Sequence, residues 1–511
     1  MSVKKLALHV TPDDNVLVAL ENIEKGDLAS AKDGTEVVAN EFIKQGHKIA
    51  ICDIEKDDPV IKYAYSIGPA SQDIKRGDWV HSHNLEDTTT KQLAQECEDF
   101  RARGKAGFIP PETPVKPKIS RDTIMAYPRP DGRFGIRNYV IVISLVQCAN
   151  GTAQKIALAC GNIPCIVVEA ACGEFTERFE RTKLGFITAG IHPNVHGVLL
   201  VSLGCQQTDP EEVKAEIAKY GKEVEHLCIQ TDGGVTGVIE KGIQIVKGMQ
   251  ERAAQVKRQP CPVTGMITGC YTGGSDWTSG LSSNRVMSET SGLHYRNGGI
   301  IVAGVGRGGT PDEAETYEVG LKLMEISDRF NEDCTARSGV GLSDVNPTPG
   351  NKAGGLTTMI EKMARTAHGR DGKVKAIEQP GFIPTGPGVW GIDQPQGAND
   401  AYACTTMAMS GMHLLMFTTG KGTPLGTAVM PCVKITGNPV TVETLGEMID
   451  YSAVPVLYGE KSVEEAGMEL YELLLDICEG KPTKSELLED WSYTIPHGTS
   501  YNGDYEKPCQ K

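Results

Sequence analysis

The chain has 511 residues and sets 51 lysines and arginines against 66 aspartates and glutamates, for a formal net charge of −15. That balance excludes nucleic acid and anionic membrane as main partners, since both need a basic face, and the length allows roughly two to four domains with cores of their own. Apolar residues make up 40 % of the chain, with 58 glycines and 28 prolines, an ordinary globular composition rich in turns.

The N-terminus, Met1-Ser-Val-Lys-Lys-Leu, shows no apolar segment or small-residue cleavage site. Apolar runs such as Gly197-Val-Leu-Leu-Val-Ser-Leu stay far below the roughly 20 residues of a bilayer-spanning helix. A cytoplasmic protein without membrane contact is expected. The 15 cysteines form no CxxC pair, which argues against a zinc ribbon or a disulfide framework and for reduced, mostly buried thiols.

Residues 1–90 read as a small β-rich unit. Apolar runs at Val16-Leu-Val-Ala-Leu, His47-Lys-Ile-Ala-Ile-Cys, Val60-Ile-Lys-Tyr and Gly77-Asp-Trp-Val-His are separated by turns such as Lys32-Asp-Gly. Residues 91–125 form a linker: a charged helical piece at 93–103, then four prolines in the eleven residues from Phe108 to Lys118. From residue 126 the pattern becomes α/β. Strands are expected at Tyr139-Val-Ile-Val-Ile-Ser, Cys165-Ile-Val-Val-Glu and 195–203, and a helix follows Asp209-Pro, an N-cap with proline in the first turn. Strand–helix alternation predicts a mainly parallel sheet covered on both faces. Lys257-Arg-Gln-Pro-Cys-Pro ends this unit at 258. A second α/β unit spans 259–485, with strands at Gly299-Ile-Ile-Val-Ala and His413-Leu-Leu-Met-Phe-Thr and a last helix over 462–479. Residues 486–511 are expected to form a tail, polar and loosely attached from Thr494 onward.

Two Gly/Pro-rich loops stand out, Asn346-Pro-Thr-Pro-Gly-Asn-Lys-Ala-Gly-Gly-Leu-Thr-Thr358 and Thr418-Thr-Gly-Lys-Gly-Thr-Pro-Leu-Gly426. Each sets backbone N–H groups beside one ammonium, Lys352 or Lys421, which suits a carboxylate or phosphate. Neither reads GxxxxGK[ST], so an ATP-type loop is not supported. His81-Ser-His83 closes the β-rich unit; on a strand both imidazoles would share one face and could reach one divalent ion, with His9 or Asp14 completing the shell. Thr272-Gly-Gly-Ser-Asp-Trp-Thr-Ser-Gly280 is a dense polar loop that could meet polyol hydroxyls through Ser275, Asp276, Ser279 and Asn284. Cys172, Cys205 and Cys270 each fall at a strand end or turn, and three thiolates could hold an iron–sulfur cluster with one open iron. Gly304-Val-Gly-Arg-Gly-Gly309 misses the dinucleotide fingerprint.

Together these pieces resemble the altronate dehydratase/galactarate dehydratase family, whose other branch is sulfolactate sulfo-lyase. Gly46-His-Lys-Ile-Ala, Val60-Ile-Lys-Tyr and Trp79-Val-His-Ser-His-Asn84 are similar to its N-terminal SAF domain. Arg129-Pro-Asp-Gly-Arg-Phe-Gly-Ile-Arg-Asn138, Leu203-Gly-Cys205, Gly273-Gly-Ser-Asp276 and the two Gly-rich loops follow in family order. The resemblance implies β-elimination from a hydroxy or sugar acid by an enzyme that uses Fe²⁺ or Mn²⁺ to stabilise an enediolate. His81 and His83 would be metal ligands or acid/base groups. Lys352 and Lys421 would hold the carboxylate, helped by Asn351, Gly354, Gly355, Thr419, Gly420 and Thr423. A homodimer is compatible with this reading.

The chain departs from the family pattern at Glu169-Ala-Ala-Cys172, at Thr272 and at Val305, where the family has His-[Ser/Thr]-Tyr-Gly-Cys, a cysteine and an acidic residue. These departures leave the base unassigned. Ile383-Pro-Thr-Gly-Pro-Gly-Val-Trp resembles the sulfo-lyase branch. Three readings follow: a metal-dependent sugar-acid dehydratase, a lyase releasing sulfite from a sulfonated hydroxy acid, and a sugar-acid binding protein without turnover.

Overall fold

A computed structural model describes residues 3–110, 112, 119–305, 310–338, 346–363, 372–394 and 399–495. The N-terminal unit holds eight short strands, β1 (Lys4–Leu8), β2 (Val16–Ala19), β3 (Leu28–Ser30), β4 (Glu36–Val38), β5 (Lys48–Ala50), β6 (Pro59–Lys62), β7 (Tyr65–Pro69) and β8 (Trp79–Val80). Six of them form a sheet in the order β4-β3-β1-β2-β5-β8, and β6 and β7 make a hairpin. Its two-residue turn, Tyr63-Ala64, has φ of 65° and 60°, the left-handed geometry that matches the twist of paired strands. The expected linker helix is present as Thr89–Arg103, with Leu93, Cys97 and Phe100 on its buried face.

The middle unit begins with β9 (Thr123–Pro128), β10 (Phe134–Gly135) and β11 (Tyr139–Ser144), followed by β12 (Cys165–Ile166), β13 (Val195–Ser202) and β14 (Glu223–Cys228). Strands β12-β11-β13-β14 form a parallel sheet in that order. Helices Asn150–Ala159, Thr176–Gly190, Pro210–Ala218 and Gly234–Gln255 cover it, and its strands are aliphatic on both faces, as a sheet buried on both sides requires. Asp209 caps its helix by accepting from the Glu211 N–H, with Pro210 in the first turn. The boundary Gln-Pro-Cys-Pro is itself a strand, β15 (Gln259–Pro262), antiparallel to β9. Only Cys261 turns inward there, which lets prolines flank it.

The C-terminal unit has β16 (Ile267–Thr272), β17 (Ile300–Val305), β18 (Val374–Glu378), β19 (Gly388–Asp393), β20 (Leu414–Thr418), β21 (Cys432–Thr436) and β22 (Tyr451–Ser452). All are parallel, in the order β18-β19-β17-β16-β20-β21-β22. The chain starts at β16 in the middle, adds β17, places β18 at the edge and β19 between them, then returns to β20 and builds outward to the other side. Adjacent strands β16 and β20 therefore flank the switch point, where a doubly wound sheet opens a crevice at its carboxyl edge. Helix Val463–Cys478, capped by a Ser462–Glu465 capping box, packs on helix Asn284–Arg296.

The tail is not loose where it is described. Trp491, Tyr493 and Ile495 alternate with polar residues and lie on the middle unit: Trp491 Nε1 donates to the Asn162 carbonyl, the Tyr493 hydroxyl donates to Gly185, and Ile495 is buried against Gly185. Thr494 donates its N–H to Thr405 Oγ1. Residues 496–511 and 306–309, the latter part of the Gly304–Gly309 segment, lie outside the described residues.

Candidate active site

The Gly-Gly-Ser-Asp loop leaves β16 at Thr272, and the second Gly-rich loop leaves β20 at Thr418, the residue paired with it. Thr418 Oγ1 donates to Asn284 Oδ1 and accepts from Thr272 Oγ1. The two loops then run together: the N–H groups of Gly420 and Lys421 donate to the Gly274 carbonyl. The 346–358 loop crosses over both. Asn351 Nδ2 donates to the Ser275 carbonyl at 2.7 Å, and the Trp277 N–H donates to the Gly354 carbonyl at 2.9 Å. Three motifs distant in sequence thus meet at one sheet edge.

Asp276 sits at their centre. Its carboxylate accepts from Thr278 N–H and Oγ1 and from Asn438 Nδ2. Burial raises its pKa against the pull of those donors and of Lys421. A Cβ at Gly420 would collide with the Asp276 carboxylate, and one at Gly354 would press on Asp276 and the Lys421 side chain, so glycine is needed for the loops to close here.

The N-terminal unit closes the other side. A Cβ at Gly46 would strike the Trp277 ring, and one at Gly355, where φ is +90°, would strike the Gly46 carbonyl. Beneath this contact Lys48 and Lys62 share the Glu361 carboxylate at 2.9 and 2.7 Å, all three side chains 0 % exposed. Glu361 also accepts from Thr357 N–H and Oγ1. Desolvation is the largest influence on each: it opposes ionisation of Glu361, but the two ammonium groups outweigh it and hold the carboxyl far below its usual range, while Lys48 falls to about 8.

His81-Ser-His83 is a turn after β8, not a strand: Asn84 N–H donates to the His81 carbonyl and Asn84 Oδ1 accepts the His81 N–H. The two imidazoles therefore do not share a strand face. His81 stacks on both Trp79 and His47 with centroids 5.0 Å apart, while His83 is tilted against Trp79 and exposed. Burial, then neighbouring positive groups, lowers both His47 and His81 to about 4, so both are neutral near pH 7. Their tautomers follow from their partners. His81 Nε2 lies 3.1 Å from the Lys352 carbonyl, which only accepts, so Nε2 carries the hydrogen and Nδ1 accepts from Ser82 Oγ. His47 Nδ1 accepts from Trp79 Nε1, so its hydrogen is on Nε2.

This arrangement does not suit a protein-held divalent ion. The lone pairs of His47 and His81 are engaged, and among the described residues no three His, Cys, Asp or Glu side chains converge. His9 and Asp14 do not complete a shell with His81: His9 contacts Asp33 and the Asp14 carbonyl, and Asp14 accepts from Thr11 and Ala64. The three cysteines are also apart. Cys270 lies in the aliphatic core beneath β16, its thiol pushed up to about 12 by burial, whereas Cys172 and Cys205 are exposed on the middle unit.

The structure gathers Lys352, Lys421, Ser275, Asp276, Asn351, Gly354, Gly355, Thr419, Gly420 and, through Lys352, His81. Several of the expected substrate contacts are turned inward. Ser279 Oγ accepts the Asp276 N–H, Asn284 Oδ1 accepts from Thr418, Asn351 Oδ1 accepts from Thr348 and Lys362, Thr419 Oγ1 accepts from Gly422, and Thr423 Oγ1 accepts from Leu425. Ser275 Oγ is buried with no partner. The amide donors of the 346–358 loop are largely engaged as well; Met359 and Ile360, which start the next helix, donate to Asp87 and Thr89 of the chain itself. The ammonium groups of these loops belong to Lys352, half-buried, and Lys421, exposed. Sequence reasoning missed Lys48, Lys62, Trp277 and Glu361 as parts of this junction. Lys48 gave one signal, a lone charge inside the apolar run of β5.

Comparison with known proteins agrees with this architecture. Residues 5–88 match the altronate/galactarate dehydratase SAF domain, 126–254 the D-galactarate dehydratase/altronate hydrolase second domain, and 263–499 the D-galactarate/altronate dehydratase C-terminal family. The chain is similar to altronate dehydratase of Bacillus subtilis, 28 % identical over 94 % of this chain and 97 % of that one. It is similar to galactarate dehydratase (L-threo-forming) of Escherichia coli, 27 % identical over 95 % and 94 %. It is also similar to the (2R)-sulfolactate sulfo-lyase subunit beta of Chromohalobacter salexigens, 30 % identical over 72 % of this chain and 95 % of that subunit. The protein, with its N-terminal SAF domain and two α/β units, belongs to the D-galactarate/altronate dehydratase family of enzymes, whose dehydratase members are hydro-lyases.

Proposed function

We propose that the protein removes water from a sugar acid of the altronate or galactarate type, giving a 2-keto-3-deoxy acid. The observation that carries this reading is the meeting of the loop that bears Lys352 with the loop that bears Lys421, over the buried Asp276 at the carboxyl edge of β16 and β20. Two lysine-bearing loops closed over one enclosed carboxylate suit a ligand with a carboxylate at one end and hydroxyls along its length. Lys352 and Lys421 hold the carboxylate and screen the charge that spreads onto it when the C2 proton leaves. The C3 hydroxyl then departs with a proton as water, and the resulting enol becomes the keto acid. His83 is the group we assign to proton transfer, because its ring has no hydrogen-bond partner among the described residues. A divalent ion such as Fe²⁺ or Mn²⁺, if bound with the substrate, would stabilise the enediolate.

The test is a panel of aldonates and aldarates, with and without Fe²⁺ or Mn²⁺ and after chelation, read out as 2-keto acid. Formation of keto acid supports the reading; a panel with no product refutes it. The 30 % identity to a sulfo-lyase subunit favours one second reading, elimination of sulfite from a sulfonated hydroxy acid. Free sulfite from sulfolactate would replace the first reading with the second. Ligand-induced stabilisation without turnover of any acid would leave the binding-protein reading.

A further inference from the structure

The four residues Lys352-Ala-Gly-Gly355 present four successive carbonyls, and every one is taken by a donor from outside the loop. His81 Nε2 donates to Lys352 O at 3.1 Å, Lys44 Nζ to Ala353 O at 3.4 Å, Trp277 N–H to Gly354 O at 2.9 Å and Lys48 Nζ to Gly355 O at 3.1 Å. Three of the four donors come from the SAF domain and the fourth from the Gly-Gly-Ser-Asp loop. We infer that His81 and Lys48 are positioning residues: the SAF domain grips the backbone of this segment and so fixes where the Lys352 ammonium stands relative to Lys421 and Asp276.

The geometry of His81 favours this role over chemistry. Its Nε2–H is directed at a backbone carbonyl and its Nδ1 at Ser82, while stacking on His47 and Trp79 fixes the ring plane. Lys48 is fully buried and reaches no solvent; its ammonium joins Gly355 O to Glu361, and Glu361 in turn holds Thr357. A five-residue helix, Pro349–Ala353, is too short to hold its own place in water, so its position must come from such contacts.

The inference rests on the dehydratase reading for its kinetic arm only. His81→Leu removes the donor, while His81→Gln keeps an amide N–H near the position of Nε2. Deuterium uptake by the Gly354 and Gly355 amides is measured together with steady-state kinetics. In His81→Leu we expect faster uptake at those amides and kcat/KM lowered roughly tenfold to a hundredfold, mostly through KM, the size a displaced binding group produces. His81→Gln should recover most of both, and the shape of the pH profile should not change. Equal inactivity of the two variants with a lost limb of the pH profile would overturn the inference in favour of proton transfer by His81. Unchanged exchange in His81→Leu would overturn it as well. If the wild-type chain turns over no acid, the dehydratase reading falls while the exchange result still decides this one.

Discussion

Two parallel sheets in this chain, one of four strands and one of seven, both start from an inner strand and build to either side of it, and they differ at their carboxyl edges. In the middle unit the loops after β11, β12 and β13 leave Cys148, Cys172 and Cys205 exposed; Gln206 braces its own loop and Gln207 ties it to Glu174. In the C-terminal unit the equivalent edge is covered twice, by the 346–358 loop and by the SAF domain, and encloses Asp276 and the Lys48–Glu361–Lys62 cluster. Burying charge is costly, and an apolar cluster of similar volume would serve stability as well or better. The charge enclosed at this edge is what we propose holds geometry for chemistry, with the middle unit as its support.

The largest effect that would break this contrast is at Glu361. Glu361→Gln leaves Lys48 and Lys62 buried without a counter-charge and should cost about 3–5 kcal/mol of unfolding free energy, measured by denaturant titration. The triple change Lys48→Met, Glu361→Leu, Lys62→Met should restore most of that stability without restoring activity. If the single variant loses little, the cluster is more hydrated than its geometry indicates. Next comes a pair of glycines. Gly420→Ala forces a Cβ onto Asp276 and should lower kcat/KM about a hundredfold, in keeping with the cost of displacing groups at a site by about 1 Å. Gly151→Ala, in a helix of the middle unit with nothing within 4 Å, should leave activity intact and raise stability by about 0.5–1 kcal/mol. Equal losses in the two would erase the distinction between the regions.

Smaller effects sharpen it. Lys352→Met and Lys421→Met should each raise KM for the acid about tenfold, the loss expected when one charged hydrogen bond is removed, while Cys172→Ser and Cys205→Ser should leave kinetics unchanged. A fall in activity in the cysteine variants would bring the middle unit back into the site. The mildest expectation concerns pH. His47 and His81 have folded pKa values of about 4, below the usual 6.5, so between these values the unfolded chain binds more protons than the folded one. Stability should therefore fall as pH drops from about 6.5 to about 4, with the contribution fully present above that window. His47→Gln should flatten the slope of unfolding free energy against pH; an unaltered slope would mean that the imidazole is not kept neutral by the junction.

Much of the fold was legible because its signals are local. The strands at 139–144 and 195–202 and the Asp209-Pro cap each follow from periodicity or cap chemistry. The two Gly-rich loops were legible as special but not for the expected reason: their amide N–H groups largely serve the protein itself. Ser279 and Asn284 looked like substrate contacts because a polar loop gives no sign of which side faces the crevice. The pairing of β16 with β20 decides that, and it joins residues about 150 apart in the chain. His81 and His83 were misplaced by assuming that the strand ran on past Val80. The Lys48–Glu361–Lys62 cluster was illegible because its members belong to different domains, and a lone lysine or glutamate ordinarily reads as solvated. The tail from Trp491 to Ile495 did carry a signal, apolar residues at every second position, which its polar composition concealed.

The most direct test of the account is a crystal structure of the protein with a non-reacting sugar-acid analogue bound. The account predicts a carboxylate between Lys352 and Lys421, at the edge formed by β16, β20 and the SAF domain. A ligand seated instead beside Cys172 and Cys205, at the carboxyl edge of the middle sheet, would contradict it.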